Sequence, residues 1–343
     1  MRLRRSDPSA PGISRRRSGK GFRYLDQNGN PVDAATRERI DALVIPPAWE
    51  DVWICPWPHG HIQATGVDAA GRRQYRYHDE WRRQRDARKH DHVLELAARL
   101  PAARRRASAA LRRPLPDRER VLAGCFRMLD VGSLRIGSET YADTNETFGL
   151  ATLRRDHVRV DGGKLQLEFL GKSGKEIVTS LSDRPLSRLV GELLVRDDDN
   201  PDLFAWHDGE AWHDVRSADV NAYLRDLLGS DVTAKDFRTW NATVLMAQRL
   251  TLAGWDERVT RRRRIVAGCY RDVAAYLGNT PAVAKNSYVD PRIVDLYDDG
   301  ITLSPEVLPT RDTHLPVHAA VERAVSRLLL PDRPRTPARR RAA

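Results

Sequence analysis

The chain of 343 residues contains only three cysteines, Cys55, Cys125 and Cys269, and no CxxC pair. Their wide spacing argues against a disulfide framework or a cysteine-based zinc site, and it fits a reducing compartment. No apolar run approaches the length of a membrane-spanning helix, and no apolar leader follows the N-terminus. We therefore expect a soluble, cytoplasmic protein with no membrane partner.

Lysine is scarce as well, with seven residues among the 58 lysines and arginines, so arginine carries most of the positive charge. The chain also lacks a glycine-rich GxxxxGK[ST] loop, which argues against the use of ATP. The formal net charge is nevertheless +11, and the isoelectric point is about 9.9. Excess positive charge attracts polyanions, and nucleic acid is the commonest polyanion inside cells.

The sequence pattern predicts four segments. Residues 1–19 and 331–343 are rich in arginine and poor in apolar residues, so we expect two basic, disordered tails. Residues 20–90 are predicted to form a small antiparallel β domain, because short apolar runs alternate there with glycine and proline. Its stretch "GFRYLDQNGNPV" contains an Asn-Gly pair that predicts a hairpin. Residues 91–330 are predicted to form a mostly α-helical domain.

The helical domain is predicted to contain one group of strands. The stretch "GLATLRRDHVRVDGGKLQLEFLGKSGKEIVTSL" alternates apolar and polar residues around two glycine-rich turns, which predicts a three-strand meander. Helical spacing is found in "DRERVLAGCFRML" and other stretches, including "ITLSPEVL" near the C-terminus. The charged segment "DEWRRQRDARKHD" fits either a linker or a solvated helix. The fold class is therefore α+β, with a small antiparallel sheet followed by a mostly helical domain that carries a meander.

A short motif near the C-terminus, "LGNTPAVAKNSYVD", leads to a single tyrosine, Tyr288. Gly278 suits the end of one helix, and Thr280 followed by Pro281 suits the start of the next. We expect Tyr288 on this short helix, on the same face as Pro281 and Ala284. A lone tyrosine in such a place is most often a core residue. Other parts of the chain have to decide whether it has a chemical role.

Three cationic side chains have surroundings that allow a chemical role. Lys172 lies in "FLGKSGKE" at the tip of a predicted hairpin, and lysine can release a proton whereas arginine effectively cannot. The alternative for Lys172 is a solvated turn residue. Arg135 follows an apolar helix, and Arg238 lies early in another one. A semi-buried arginine needs an anionic partner, either an internal carboxylate or a phosphate.

A tyrosine, a turn lysine and two semi-buried arginines in a basic protein are consistent with one reaction, the cleavage of a phosphodiester by a tyrosine oxygen. The arginines would bind the non-bridging oxygens and stabilise the negative charge of the transition state. The lysine would protonate the departing ribose oxygen. Composition alone leaves this reaction as one guess among several.

Four motifs in order, "LRIGSETYADTNETFGLATL", "FLGKSGK", "KDFRTW" and "LGNTPAVAKNSYVD", resemble those of type IB DNA topoisomerases, in particular the short branch of poxviruses and bacteria. "GRRQYRYH" in the predicted β domain matches as well. The resemblance covers residues 22–300 and implies the catalytic fold shared with tyrosine recombinases. It implies an enzyme that nicks one DNA strand through a 3′-phosphotyrosyl link, lets the duplex swivel to relax positive and negative supercoils, and religates. The family needs neither ATP nor an obligatory metal.

The resemblance also implies roles for individual residues. Tyr288 matches the nucleophile of the family. Arg135 and Arg238 match its two phosphate-binding arginines, and Lys172 matches its general acid. Asn279 stands where the family often has histidine. An asparagine amide can still donate a hydrogen bond to a phosphate oxygen, and it is uncharged at every relevant pH.

The resemblance identifies four further residues as DNA contacts: Gln74, Tyr75, Tyr77 and Tyr141. Members of the family enclose duplex DNA between two domains, so the resemblance implies a monomer clamped around DNA. It implies no cofactor and no bound metal. A cytoplasmic, nucleoid-associated location is expected.

Two other functions stay open from the sequence. A tyrosine recombinase shares the tyrosine and the arginine pair, but it usually has histidine three residues before the second arginine, where this chain has Lys235. A non-catalytic basic DNA-binding protein would explain the charge, but it would not explain why four motifs occur together. The sequence indicates neither a preferred cleavage sequence nor a role for the "TRRRR" run at 260–264.

Overall fold

The protein is described by a computed structural model that covers residues 2–137, 139, 142, 146–229, 231–309 and 319–330. Contacts divide the chain into two compact units, Met1–Asp91 and His92–Ala343, and each unit has its own hydrophobic core. No helix in the described part of the chain is both long enough and apolar enough to cross a lipid bilayer. The predicted tail at residues 331–343 lies outside the described residues.

The N-terminal unit is built on a five-stranded antiparallel sheet. Its strands are β1 (Ile13–Ser18), β2 (Gly21–Leu25), β3 (Glu50–Ile54), β4 (Ile62–Val67) and β5 (Arg73–Tyr77). Their order across the sheet is β2-β1-β3-β4-β5. One helix, α1 (Ala34–Ala42), buries Ile40 in a small core with Ile13 and Ile54.

Strand β1 corrects the prediction of a disordered tail over residues 1–19. Its first residue, Ile13, is buried in the small core, and its backbone pairs with both β2 and β3. The guanidinium carbon of Arg15 lies 4.2 Å from the centroid of the Phe22 ring, and this arginine also donates a hydrogen bond to the Trp49 carbonyl. Arginine can cover an aromatic face while it keeps its charge. A segment with many arginines therefore still forms an ordered strand.

The hairpin predicted around the Asn-Gly pair forms only as a short antiparallel return, with backbone hydrogen bonds from Asp26 to Asn30 and from Val32 to Tyr24. Asn28 and Gly29 do form a turn, and Gly29 has a positive φ of 84°. Across this turn, the described structure shows a single bridge, between Leu25 and Pro31. Proline has no N–H with which to continue a ladder. The extended pairing of β2 in the sheet is with β1.

The second unit is mainly helical. Its described helices are α2 (Asp79–Ala110, which begins in the first unit), α3 (Arg118–Gly132), α4 (Arg184–Leu194), α5 (Ser217–Leu228), α6 (Ala234–Ala253), α7 (Val259–Leu277), α8 (Pro281–Ser287), α9 (Pro291–Asp298) and α10 (Ala319–Leu329). The charged segment that fitted either a linker or a helix lies at the start of α2. Helix α6 runs through the core, and most of its residues are buried.

The helix predicted in "ITLSPEVL" is wrong. This stretch forms a single 3-10 turn, Pro305–Val307. Pro305 suits the first position of a helical turn, where its missing N–H is not needed. Pro309 follows at once, and a proline there can neither donate a hydrogen bond nor let the preceding residue stay helical. The turn therefore does not extend into a helix.

The predicted three-strand meander is confirmed, and with it the α+β class. The described strands of this unit are β6 (Val158–Asp161), β7 (Lys164–Gly171), β8 (Lys175–Ser182) and the unpredicted short pair β9 (Ala205–His207) and β10 (Trp212–Asp214). Burial alternates along β7, so Leu165, Leu167 and Phe169 face the core. The turn between β7 and β8 begins at Lys172.

A buried ion network joins the C-terminal helix α10 to α2, α3 and α6. Arg104 contacts Asp130 at an N–O distance of 2.7 Å and Glu322 at 2.9 Å. The Trp240 indole N–H donates to the same Glu322 carboxylate at 2.8 Å. Asp130 is 1% exposed and Glu322 is 7% exposed, so both carboxylates depend on protein partners rather than on water.

We expect Glu322→Ala to lower the free energy of unfolding of the second unit by about 3 kcal/mol, because it removes one carboxylate from a buried network and leaves the Trp240 N–H without an acceptor. Chemical denaturation followed by tryptophan fluorescence measures this change. The control is Asp226→Ala, which removes the exposed partner of Arg106 and should cost no more than about 1 kcal/mol. Equal stability of the two variants would contradict the role assigned to the network.

Candidate active site

Arg238 lies one turn into α6 and is 4% exposed. Its two terminal nitrogens donate hydrogen bonds to backbone carbonyls, one to Ser133 and one to Leu277 at 2.8 Å. Within the described part of the chain it forms no ion pair with a carboxylate. The two partners that the sequence allowed for a buried arginine were a carboxylate and a phosphate. Among the described residues no acidic side chain compensates the charge of Arg238, so of these two partners a phosphate fits its surroundings better.

Arg135 lies beside Arg238, in the segment that follows α3. One of its terminal nitrogens donates to the side-chain carbonyl oxygen of Asn279 at 2.7 Å. Burial lowers the pKa of Arg135, and the positive charge of Arg238 lowers it further. Two arginines held this close raise each other's energy unless an anion lies between them. The pair is therefore suited to bind one anion, such as a phosphate, that accepts hydrogen bonds from both guanidinium groups.

The local sequence forms the predicted helix ends around Tyr288, but Tyr288 itself lies just past the short helix and not on it. Helix α7 ends at Gly278, which has a left-handed φ of 62°. Helix α8 then begins with Thr280, whose hydroxyl accepts a hydrogen bond from the Val283 N–H. Tyr288 is the C-cap residue that follows Ser287, the last residue of α8. It is 9% exposed, and its ring centroid lies 5.1 Å from the guanidinium carbon of Arg238.

Electrostatics distinguish Tyr288 from other buried tyrosines. Burial disfavours the charged phenolate, and it raises the pKa of Tyr276 to about 12. Burial acts on Tyr288 in the same direction. The positive charges of Arg238, Arg135 and Lys235 outweigh it, and a hydrogen bond from Arg238 adds to their effect. The pKa of Tyr288 is therefore lowered from its ordinary value, which suits a group that has to lose a proton.

Lys172 lies on the exposed turn between β7 and β8. The next residue, Ser173, has a left-handed φ of 67°, so the chain reverses sharply at this point. Lys172, Arg135 and Arg238 line one cavity of about 290 Å³. The structure therefore brings the candidate acid and both candidate phosphate-binding arginines to a common space.

Two hydrogen-bond donors at the site lack acceptors in the described structure. They are the Asn279 side-chain amide nitrogen and the Nε of Arg238, and both are buried. The other amide atom of Asn279 is fixed by its bond from Arg135, so the nitrogen cannot take its place without facing a positive charge. Buried donors are almost always paired in folded proteins. Two unpaired donors, one of them on Arg238 itself and the other beside Arg135, fit a bound anionic oxygen.

Lys235 was not predicted as a site residue, although its positive charge helps to lower the pKa of Tyr288. It is exposed and lies one helical turn before Arg238 on α6. The sequence signal that could have identified Lys235 is its spacing of three residues from Arg238, which places both side chains on one face of the helix.

Three of the predicted DNA contacts lie on β5 in the N-terminal unit. The Tyr75 and Tyr77 rings lie on one face of the strand, stacked with centroids 5.8 Å apart and planes inclined by 15°. Tyr75 is 41% exposed, which leaves its ring available to a partner. Gln74 belongs to the alternate face, where its side-chain amide donates to Asp68 at 2.9 Å. Tyr141, the fourth predicted contact, lies outside the described residues.

Two family profiles match the chain. The profile described as "Eukaryotic DNA topoisomerase I, catalytic core" matches residues 78–302. The profile described as "Bacterial DNA topoisomerase IB, N-terminal domain" matches residues 21–68. The first covers the segments that carry Arg135, Lys172, Arg238 and Tyr288, and the second covers most of the N-terminal sheet.

Individual relatives agree with these profiles. The DNA topoisomerase 1B of Acanthamoeba polyphaga mimivirus is 31% identical over 305 residues, which are 84% of this chain and 88% of the viral protein. The DNA topoisomerase 1B of Vaccinia virus (strain Copenhagen) is 22% identical over 262 residues, 76% of this chain and 78% of that protein. The DNA topoisomerase 1 alpha of Arabidopsis thaliana matches over 168 residues at 27% identity, 48% of this chain and 17% of the plant protein.

We expect Tyr288 to titrate at a lower pH than Tyr276, and we expect Lys235→Gln to raise the pKa of Tyr288 because it removes a nearby positive charge that favours the phenolate. NMR of protein labelled at the tyrosine ring carbons measures both values, and Tyr288→Phe assigns the signal. Arg188→Gln, on the exposed face of α4, is the control and should leave the pKa of Tyr288 unchanged. A Tyr288 signal that titrates with Tyr276 would contradict the electrostatic assignment.

Proposed function

Because this chain belongs to the type IB DNA topoisomerase family, we propose that it nicks one strand of duplex DNA through a 3′-phosphotyrosyl intermediate at Tyr288. While the link holds the broken strand, the duplex swivels and relaxes positive or negative supercoils, and the reverse reaction reseals the strand. The observation that carries the proposal is the placement of Tyr288 against Arg238, with Arg135 and Lys172 on the same cavity as that arginine.

The cleavage step transfers the phosphoryl group of the DNA backbone to the tyrosine. The Tyr288 phenolate oxygen attacks the phosphorus, and the bond from phosphorus to the 5′ oxygen of the next nucleotide breaks. The lowered pKa of Tyr288 supports the loss of its proton before or during the attack. One P–O bond forms as another breaks, so the phosphotyrosine link retains the energy of the phosphodiester. The freed 5′-hydroxyl can therefore reverse the attack without ATP.

Arg135 and Arg238 bind the two non-bridging oxygens and stabilise the additional negative charge of the five-coordinate transition state. Arg238 is held by two backbone carbonyls, so its remaining N–H groups need no reorganisation when that charge develops. The unpaired amide nitrogen of Asn279 supplies a further donor. Two guanidinium groups provide the charge stabilisation that metal ions provide in other phosphoryl-transfer sites. We propose that no metal is obligatory.

Lys172 is the general acid of the proposal. The departing 5′ oxygen is a poor leaving group unless it receives a proton. An arginine cannot supply that proton, whereas a lysine can. The position of Lys172 supports this role, because it lies on an exposed turn and lines the cavity that the two arginines share. On religation the same amine accepts a proton from the attacking 5′-hydroxyl.

Duplex DNA is the proposed partner, bound by one copy of the chain. The net charge of +11 supports a polyanionic substrate, and the affinity should fall steeply as salt rises. The exposed Tyr75 ring supports a contact from the N-terminal unit. Contacts by Gln74 and Tyr141, action as a monomer, and a cytoplasmic, nucleoid-associated location remain predictions.

We expect Tyr288→Phe to bind DNA normally but neither to relax supercoiled plasmid nor to form a covalent protein–DNA adduct, because it lacks the attacking oxygen. Relaxation of a plasmid without any specific site, with ATP and divalent metal omitted, measures the activity, and it also separates a topoisomerase from a site-specific recombinase. Tyr270→Phe, which changes a buried tyrosine of α7, is the control and should stay active. Relaxation by Tyr288→Phe would place the nucleophile elsewhere.

We expect Asn279→Ala to slow adduct formation by roughly tenfold, because it removes both the acceptor that orients Arg135 and a donor to the phosphate. Asn279→His replaces the amide by an imidazole that can still form hydrogen bonds, and it should cleave at nearly the normal rate. Single-turnover cleavage with enzyme in excess over DNA measures both. A complete loss of activity in Asn279→His would contradict the role given to Asn279.

A further inference from the structure

Ser133 lies where three elements of the candidate site meet. It is 2% exposed, and it ends α3. Its backbone carbonyl accepts a hydrogen bond from Arg238. Its hydroxyl oxygen accepts a hydrogen bond from the Asn241 amide at 2.8 Å and is joined to the Tyr276 hydroxyl at 3.0 Å. Ser133 therefore connects the end of α3 with side chains of both α6 and α7.

The backbone conformation of Ser133 indicates that its hydroxyl is used. Its φ is 49°, in the left-handed region, where glycine is the usual residue at the end of a helix. A serine side chain is strained there, and strained residues persist where the surrounding contacts hold them. The contacts that hold this one are the two hydrogen bonds of its hydroxyl. The strain and the hydrogen bonds are independent observations at a single residue.

The hydrogen bond between the Ser133 and Tyr276 hydroxyls connects the two segments that hold Arg238. One carbonyl acceptor belongs to Ser133 itself, and the other belongs to Leu277. Leu277 directly follows Tyr276, so the Tyr276–Ser133 hydrogen bond ties the two acceptors together. Fixing the separation of the two carbonyls fixes the plane of the guanidinium between them.

Asn241 anchors the same group to the protein interior. Its side-chain nitrogen also donates to the Asp130 carbonyl at 2.9 Å, and the Asp130 carboxylate belongs to the buried ion network with Arg104. Asn241 lies three residues after Arg238, on the same face of α6. Its bond to Ser133 therefore relates the start of α6 to the end of α3.

We propose that Ser133, Tyr276 and Asn241 form a positioning triad, which holds the guanidinium of Arg238 at the scissile phosphate through the carbonyls of Ser133 and Leu277. The triad acts through Arg238 and not on the DNA. The inference rests on the proposed phosphotyrosine chemistry. Burial keeps Tyr276 a neutral phenol, because it raises its pKa to about 12, so this tyrosine holds hydrogen bonds and does not compete as a nucleophile.

The first test removes single hydroxyl groups. We expect Tyr276→Phe to slow single-turnover adduct formation by about tenfold with unchanged DNA affinity, because the partly buried hydrogen bond to Ser133 is lost while the ring is kept. Ser133→Gly relieves the left-handed strain but also loses the hydroxyl, so it should fold well and still cleave slowly. Tyr270→Phe, which changes a second tyrosine of α7 that lies outside the triad, is the control and should cleave at the wild-type rate.

The second test asks whether the effect passes through Arg238. In an Arg238→Ala background, Tyr276→Phe should cause no further slowing, since the group that the triad positions is gone. A general loss of stability would instead slow both backgrounds by the same factor. Wild-type cleavage rates in both Tyr276→Phe and Ser133→Gly, or an undiminished tenfold effect in the Arg238→Ala background, would overturn the triad. If the wild-type protein itself forms no adduct that depends on Tyr288, the proposed function fails, and the inference fails with it.

Discussion

The guanidinium of Arg238 is a buried positive charge placed between the C-terminal ends of two helices. Its acceptors are the carbonyls of Ser133, which caps α3, and Leu277, the last residue of α7. Carbonyls at these positions have no partner within their own helix, and each helix end carries roughly half a negative charge. The arrangement satisfies the hydrogen bonds of the arginine and offsets part of its charge. A carboxylate would have neutralised it and would have competed with a phosphate.

This constraint explains several features around it. The incomplete compensation of Arg238 lowers the pKa of Tyr288, because the remaining positive charge favours the phenolate. The same positive charge disfavours the charged form of Arg135, whose pKa is lowered by burial and by Arg238. Such a site costs free energy in the unliganded protein, and a bound anion would recover it. The charges of Arg104, Asp130 and Glu322, by contrast, are paired with one another, and Asp130 lies on α3, the helix that Ser133 caps.

The sequence was sufficient for the residues whose signals are local. The glycine, threonine and proline that end α7 and begin α8 place Tyr288, and the alternation along β7 and β8 places Lys172 on its turn. The order of the four motifs also predicted Arg135 and Arg238 as phosphate-binding residues. The partners of Arg238 were not predictable, because Ser133 and Leu277 are 105 and 39 residues away from it along the chain. The strand Ile13–Ser18 was missed because arginines that stack on rings look like those of a solvated tail.

The different placement of the cations follows from the different steps they are proposed to serve. A phosphate oxygen gains charge at a fixed position, so the arginines that stabilise it are best held rigidly, and Arg238 is held by α3, α6 and α7 together. The departing 5′ oxygen moves away from phosphorus as the bond breaks. A proton donor for it has to follow that movement. Lys172, exposed on a turn outside the helical core, is suited to this, whereas a lysine buried beside Arg238 would have its pKa lowered by burial and by the neighbouring positive charge.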